Sequence, residues 1–142
     1  MKLDLIEEYN IELVNLNLER LKRKINDESV QFRINIATNN VQWLDEENNI
    51  CEIFIEVNLS ALDGDVDEET VEDEDNNTNR EYCNLSMIVN VLVKSKLKKD
   101  ETDEESIVEL MVLLAQPTIR ELVNQNLYRV GLPGADIPWG NR

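Results

Sequence analysis

The chain has 142 residues, of which 30 are acidic and 14 basic, so its formal net charge at pH 7 is −16. This charge repels nucleic-acid phosphates and anionic membranes, and it favours basic protein partners. Histidine is absent, which removes the usual general base and the commonest zinc ligand. We therefore predict no catalytic residue, no cofactor, no metal site and no direct nucleic-acid binding.

The length fits one domain over residues 1–142, long enough to bury a core. The first residues, MKLDLIEEYN, carry charges where a signal peptide needs an apolar run. No segment reaches the roughly 18 apolar residues that a membrane-spanning helix needs. Cys51 and Cys83 are too few for a disulfide framework. We predict a cytoplasmic protein without membrane insertion, whose reduced thiols lie in a sheet core rather than in a cross-strand disulfide.

The first predicted strand runs from Tyr9 to Leu21, where apolar and polar residues alternate. The phase of this alternation slips by one residue between Leu13 and Val14, which predicts a β-bulge. Residues 22–29 (KRKINDES) are polar and are expected to connect this strand to the next.

Three further strands are predicted from alternation in which one side is apolar. The second strand carries its apolar side at Val30, Phe32, Ile34 and Ile36 and ends near Trp43 and Leu44. After a turn at residues 45–49 (DEENN), the third strand carries Cys51, Ile53, Ile55, Val57, Leu59 and Ala61 on one face. The fourth carries Cys83, Leu85, Met87, Val89, Val91 and Val93.

An acidic segment separates the third and fourth strands, and we predict a mobile, solvated loop over residues 62–80. Nine of the thirteen residues from Asp63 to Asp75 are acidic. Positions one, three, five and twelve of a calcium-binding loop are matched by Asp63, Asp65, Asp67 and Glu74. Glu68 stands where that loop requires glycine, so we do not predict a formed calcium site. The alternatives are an electrostatic docking segment or a mimic of a phosphate backbone.

Apolar residues from Ile107 to Leu127 recur at three- and four-residue spacing, which predicts helix. The acids of residues 100–106 (DETDEES) suit its first turn. Pro117 either begins a second helix or kinks a single one, and Gly131 is the predicted stop. The predicted fold is α+β: a four-stranded antiparallel sheet followed by C-terminal helices packed on one face.

The order of these parts resembles that of the SecB-like family of bacterial export chaperones. Residues 8–26 (EYNIELVNLNLERLKRKIN) resemble the first strand and its crossover, and residues 30–62 resemble the second and third strands. The family's helix has the form apolar-Pro-x-x-Arg-Glu-apolar-apolar, which is matched here by Pro117, Arg120, Glu121, Leu122 and Val123. A similar Gly-x-Pro turn follows at Gly131 and Pro133.

The resemblance implies homodimers or homotetramers whose hydrophobic grooves, between crossover, helix and sheet, hold unfolded polypeptide without ATP. On this basis we predict an ATP-independent chaperone or holdase for non-native or aggregation-prone polypeptides, linked either to export or to an antitoxin. The candidate groove residues are Leu21, Ile25, Trp43, Tyr128 and Trp139. For the three aromatic residues, the alternative is that they complete the core or an oligomer seam. The alternative function is that of an acidic adaptor or inhibitor on the SecB fold, a nucleic-acid mimic that acts on a basic protein partner.

Overall fold

The structure is a computed structural model that describes residues 3–21, 30–63 and 81–132. Residue packing divides the chain into two compact units. The first unit contains the described residues within Met1–Asn15, Ala37–Glu56 and Ile88–Leu122, and the second contains those within Leu16–Ile36, Val57–Met87 and Val123–Arg142. The predicted connection over residues 22–29 and residues 64–80 of the predicted loop lie outside the described part. The single domain over residues 1–142 stays a prediction.

The described part of the chain contains five strands and one long helix. These are β1 (Ile6–Arg20), β2 (Val30–Thr38), β3 (Gln42–Asp45), β4 (Ile50–Asp63), β5 (Glu81–Ser95) and α1 (Glu104–Arg129), with short 3-10 helices at Leu3–Leu5 and Lys99–Glu101. The strands form one antiparallel sheet in the order β1-β5-β4-β2, and β3 pairs with β4. The predicted α+β class, with helix after the strands and packed on the sheet, is confirmed.

The additional strand is β3, which the sequence analysis placed at the end of the second strand. Trp43 pairs with Cys51, and the register shifts before Asp45. The carboxylate of Asp45 accepts hydrogen bonds from the side-chain amide of Asn48 at 2.6 Å and from its backbone N–H at 3.2 Å. These bonds lower the pKa of Asp45. Asn49 completes the predicted turn with a φ of 59°, a left-handed conformation that asparagine tolerates better than most residues.

β1 is one continuous strand from Ile6 to Arg20, which is compatible with the predicted bulge. Its half-buried residues are Ile6, Ile11, Leu16 and Leu18. Residues an odd number apart on a regular strand face opposite sides of the sheet. These four residues therefore cannot all share one face of a regular strand, and the bulge itself stays a prediction.

The core of the first unit forms where one face of β4 and β5 meets the buried stripe of α1. The predicted alternation is confirmed there, because every second strand residue is buried. The core residues are Cys51, Ile53, Ile55, Val89, Val91, Val93, Ile107, Leu110, Met111, Ala115 and Ile119, and none is more than 4% exposed. Burial of each large apolar side chain contributes about 1.5–3 kcal/mol, before the cost of ordering the chain.

The second unit has its own core, built from the other ends of the same strands and the last turns of α1. Its buried apolar residues are Phe32, Val57, Leu59, Ala61, Leu62, Tyr82, Cys83, Leu85, Met87, Val123, Leu127, Val130 and Leu132. Cys83 here and Cys51 in the first unit are free thiols, which confirms the predicted sheet-core cysteines. Burial raises the pKa of both to about 11, so both are protonated at neutral pH.

The helix begins where the acidic residues predict. Asp103 precedes α1, and its carboxylate accepts hydrogen bonds from the backbone N–H of Ser106 at 3.3 Å and from the Ser106 hydroxyl at 2.6 Å. This is the geometry of an N-cap, which satisfies a backbone donor that has no partner within the helix. Glu104 also reaches out of the helix, because its carboxylate accepts the backbone N–H of Val41 at 3.2 Å.

Of the two alternatives for Pro117, the structure has the single helix, with the proline inside α1. Proline has no N–H to give to the carbonyl of Leu113, four residues earlier. Both residues are exposed in the first unit, and Leu113 is 43% exposed. Water can therefore replace the missing hydrogen bond, and the helix continues to Arg129.

Candidate functional site

The structure separates the predicted groove residues into two groups. Leu21 directly follows β1 and Tyr128 lies in the last turn of α1, and both belong to the second unit. Trp43 lies in β3 of the first unit. Ile25 and Trp139 lie outside the described residues.

The two groove residues in the second unit both present large side chains to solvent. Leu21 is 42% exposed and Tyr128 is 68% exposed, whereas Trp43 is half-buried beside Cys51. Large apolar side chains in such positions offer area that a partner can bury. Leu21 and Tyr128 therefore suit contact with a polypeptide better than Trp43 does.

Tyr82, at the start of β5, is hydrogen-bonded both to Leu21, just after β1, and to Val130, just after α1. Its carbonyl accepts the backbone N–H of Leu21 at 2.8 Å. Its hydroxyl donates to the carbonyl of Val130, two residues after Tyr128. Tyr82 as a whole is only 4% exposed. The backbone carbonyl of Tyr82 thus holds the chain at the end of β1, and its side-chain hydroxyl holds the end of α1.

The C-terminus of α1 is closed by a Schellman motif, which confirms the predicted stop at Gly131. The N–H of Leu132 donates to the carbonyl of Leu127 at 2.9 Å, and the N–H of Gly131 donates to the carbonyl of Tyr128 at 3.0 Å. Gly131 has a φ of +86°, which costs other residues steric strain. Tyr128 is therefore carried on a helix end that is hydrogen-bonded rather than frayed.

Tyr82 was missed by the sequence analysis, although a signal was present. The predicted apolar face of β5 begins at Cys83, so Tyr82 falls on the opposite, largely polar side. An aromatic residue that is out of phase with the core of its strand indicates that something else covers it. The period alone could not reveal that the cover is the end of α1, 48 residues later.

The second unit also has a depression of about 380 Å³ over the outer face of the sheet. It is lined by Arg33, Ile34, Asn35, Asn58, Leu59, Ser60, Glu81, Asn84, Leu85 and Ser86. The hydroxyl of Ser60 donates to Asn84 at 2.9 Å, and the Asn84 amide donates to Glu81 at 3.4 Å. These polar groups therefore bond to one another within the depression.

Charge is distributed unequally between the two units. The described residues of the first unit include 16 acidic and 5 basic side chains, a net charge of −11. Those of the second unit include three acidic and three basic side chains, and therefore carry no net charge. Arg20 and Arg129 are exposed and directly adjoin Leu21 and Tyr128.

No metal site is found in the described part of the chain, where no group of three or more His, Cys, Asp or Glu side chains could hold an ion. In the same residues, no helix is long and apolar enough to cross a membrane.

Comparison with known proteins gives a structural match but no match by sequence. No protein-family model matches the chain, and no curated protein matches it at a significant level. Among solved structures, the chain is similar to a Mycobacterium tuberculosis SecB-like chaperone in complex with a ChAD peptide from the HigA1 antitoxin. The two chains are 15% identical, the TM-score is 0.68, and the match covers 94% of this chain and 88% of the mycobacterial one. The chain therefore has the SecB-like fold.

Proposed function

We propose that this SecB-like chain is an ATP-independent chaperone that holds non-native or aggregation-prone polypeptide. The fold supports this proposal, and the mycobacterial neighbour was solved with a bound antitoxin peptide. That peptide favours an antitoxin segment as the client class over an exported precursor. We assign no catalytic step to the chain.

The observation that carries the proposal is the exposure of Leu21 and Tyr128 around the buried Tyr82. Burying apolar area against a client contributes about 25 cal/mol per Å². Such contacts are not directional, so one surface can accept many sequences. Because Tyr82 and the Schellman motif already hold the backbone here, less conformational freedom is lost when a client binds.

The charge distribution suits a surface of this kind. A net charge of −16 limits self-aggregation and attracts basic clients to the protein. The described residues of the second unit are neutral overall, so apolar contact there is not opposed by a strong local field. Arg20 and Arg129 can also accept an acidic group of the client beside the apolar side chains.

Other parts of the prediction extend the proposal beyond the described site. Ile25, Trp43 and Trp139 remain predicted groove residues, and assembly into a homodimer or homotetramer and a cytoplasmic location remain predictions. The adaptor function depends mainly on the acidic segment from Asp63 to Asp75. Residues 64–75 of that segment lie outside the described part of the chain.

The proposal is tested by light scattering of an unfolded model client that aggregates on dilution. The purified chain, in several-fold excess and without nucleotide, should suppress the scattering. The double variant Leu21→Ser/Tyr128→Ser should suppress it much less. Leu113→Ser is the matched control, because Leu113 is also an exposed apolar residue but lies in the first unit. No suppression by the wild-type chain, or equal suppression by the double variant and the wild type, would contradict the proposal.

A further inference from the structure

The depression over the outer face of the sheet in the second unit brings polar side chains from three strands together. Alternation places every second residue of a strand on the same face. The side chains on this face are Arg33 and Asn35 from β2, Asn58 and Ser60 from β4, and Asn84 and Ser86 from β5. Glu81, at the start of β5, lines the same depression. Its volume of about 380 Å³ lies within the range of small-ligand pockets, about 300–1,000 Å³.

These six strand positions carry no carboxylate, although 30 of the 142 residues of the chain are acidic. On β4, the residues with the same alternation in the first unit include Glu52 and Glu56. Amide and hydroxyl groups cost less free energy than carboxylates when a partner removes their water. Cores of protein interfaces are likewise depleted in Asp, Glu and Lys and enriched in Arg. The composition of the depression therefore indicates a surface that a partner covers.

The hydrogen bonds within the depression leave donors for a ligand. The Ser60 hydroxyl donates to the amide oxygen of Asn84, and the Asn84 amide nitrogen donates to Glu81. These two bonds orient the Asn84 amide and use one of its two N–H groups. Arg33 is exposed, and its guanidinium has no hydrogen-bond or ion-pair partner among residues 3–21, 30–63 and 81–132. A guanidinium has five N–H donors and binds a carboxylate through two parallel hydrogen bonds.

The amides beside Arg33 favour a peptide as the carrier of that carboxylate. An Asn side chain offers N–H donors and a C=O acceptor, the same groups that a peptide bond offers. Asn35 and Asn84 can therefore bond the peptide groups that adjoin a carboxylate held by Arg33. The described residues of the second unit carry no net charge, so no strong local field opposes an acidic segment. The charge of −16 on the whole chain does oppose its approach, so the affinity must come from contacts within the depression.

We propose that this depression is a second peptide site, which binds a short acidic segment of a partner protein. Arg33 pairs with an Asp or Glu carboxylate of the segment, and the amides of Asn35 and Asn84 bond the adjoining peptide groups. Binding here is directional, in contrast to the apolar contacts proposed at Leu21 and Tyr128. None of the residues that line the depression belongs to that surface, so this inference does not rest on the proposed function.

The probe is the peptide Ala-Asp-Ala, acetylated at its N-terminus and amidated at its C-terminus so that the Asp side chain carries its only charge. The control peptide is Ala-Asn-Ala with the same blocked ends, which keeps the size and shape and removes the charge. Ligand-observed nuclear magnetic resonance measures the Kd of each peptide for the full chain at one ionic strength. The Asp peptide should bind at least about tenfold more tightly than the Asn peptide, because a charge-assisted hydrogen bond is roughly twice as strong as a neutral one.

The variant Arg33→Gln should raise the Kd of the Asp peptide by at least about tenfold, because it removes the charged donor pair. Arg33→Lys should also raise the Kd, since Lys lacks the planar fork that binds a carboxylate through two bonds. Lys96→Gln is the matched control, because it removes one positive charge at an exposed position in the first unit. It should raise the Kd by less than about twofold through the general field.

Two further measurements separate binding at the depression from folding and from client holding. Because Arg33 is exposed, the Arg33→Gln variant should keep the wild-type Tm. It should also suppress aggregation of an unfolded client as well as the wild type does. A lower Tm would assign Arg33 a structural role in place of ligand binding, and a loss of suppression would mean that the depression is not separate from the client surface.

Three other results would overturn the inference. Equal Kd values for the two peptides, or no binding at millimolar concentration, would exclude a carboxylate site. Equal effects of Arg33→Gln and Lys96→Gln would reduce the binding to general charge attraction. The third result concerns a variant in which the eight acidic residues of 64–75 are changed to their amides. If this variant binds the Asp peptide more than about tenfold more tightly even in 1 M salt, where the Debye length is about 3 Å, then that segment of the chain, and not a partner, is the occupant.

Discussion

Tyr82 provides the sharpest test of how the end of α1 is held. Its hydroxyl donates to the carbonyl of Val130, and the two residues are 4% and 7% exposed. Tyr82→Phe keeps the ring and removes this donor. A buried carbonyl that loses its partner costs about 1–3 kcal/mol, so we expect the free energy of unfolding to fall by that amount. For a chain of this size each kcal/mol lowers the Tm by about 2–4 °C.

The assay is urea unfolding followed by circular dichroism, with thermal unfolding as a second measure. Tyr128→Phe is the matched control, because it removes the same group from a side chain that is 68% exposed. Substitutions at such surface positions change stability by less than about 0.5 kcal/mol. The hydrogen bond from Leu21 to the backbone carbonyl of Tyr82 remains in this variant. The Tyr82→Phe variant should therefore hold clients less well than wild type only through the loosened end of α1 beside Tyr128. Equal stability of the two tyrosine variants would refute the role assigned to Tyr82.

Three further predictions concern the local structure. Gly131→Ala should lower the free energy of unfolding by about 1 kcal/mol, because the left-handed conformation at this position strains any residue with a Cβ. Urea unfolding measures this loss, and an unchanged midpoint would contradict the Schellman assignment. Asp103→Ala should lower the free energy of unfolding by about 1 kcal/mol through loss of the N-cap, whereas Asp103→Asn should keep most of the cap. Equal losses of stability in the two variants, measured by urea unfolding, would mean that capping is not the cause. Cys51 and Cys83 should react with a thiol reagent at pH 8 only after unfolding, because burial raises the pKa of both thiols to about 11. Rapid reaction of the native chain would contradict this prediction and show that these thiols are accessible.

The long strands and the helix could be predicted because their signals are local. In β4 and β5 the two-residue period persists over most of the strand, and burial follows it residue by residue. Asp103 and Gly131 mark the ends of α1 through hydrogen bonds that reach only a few residues along the chain. Such features depend on backbone geometry that the local sequence already specifies.

Other features depended on contacts that the local sequence does not contain. β3 has only four residues, too few for a period to be recognised, and its pairing depends on the turn that follows it. Pro117 is tolerated inside α1 because its side of the helix faces solvent, which the residue alone cannot indicate. The groove residues were chosen by resemblance, and their separation into two units depends on how distant segments pack. The same is true of Tyr82, because its hydroxyl donates to Val130, 48 residues later in the chain.

The most direct test of polypeptide holding at Leu21 and Tyr128 is to find where an unfolded client contacts the protein. A photo-crosslinking amino acid, benzoylphenylalanine, is introduced at position 128, and in a second variant at position 113 as the exposed control. Each variant is irradiated with an unfolded client at equal concentration. We expect a strong crosslink to the client from position 128 and little from position 113. Equal crosslinking from the two positions, or none from position 128, would contradict the claim that the second unit holds polypeptide at Leu21 and Tyr128.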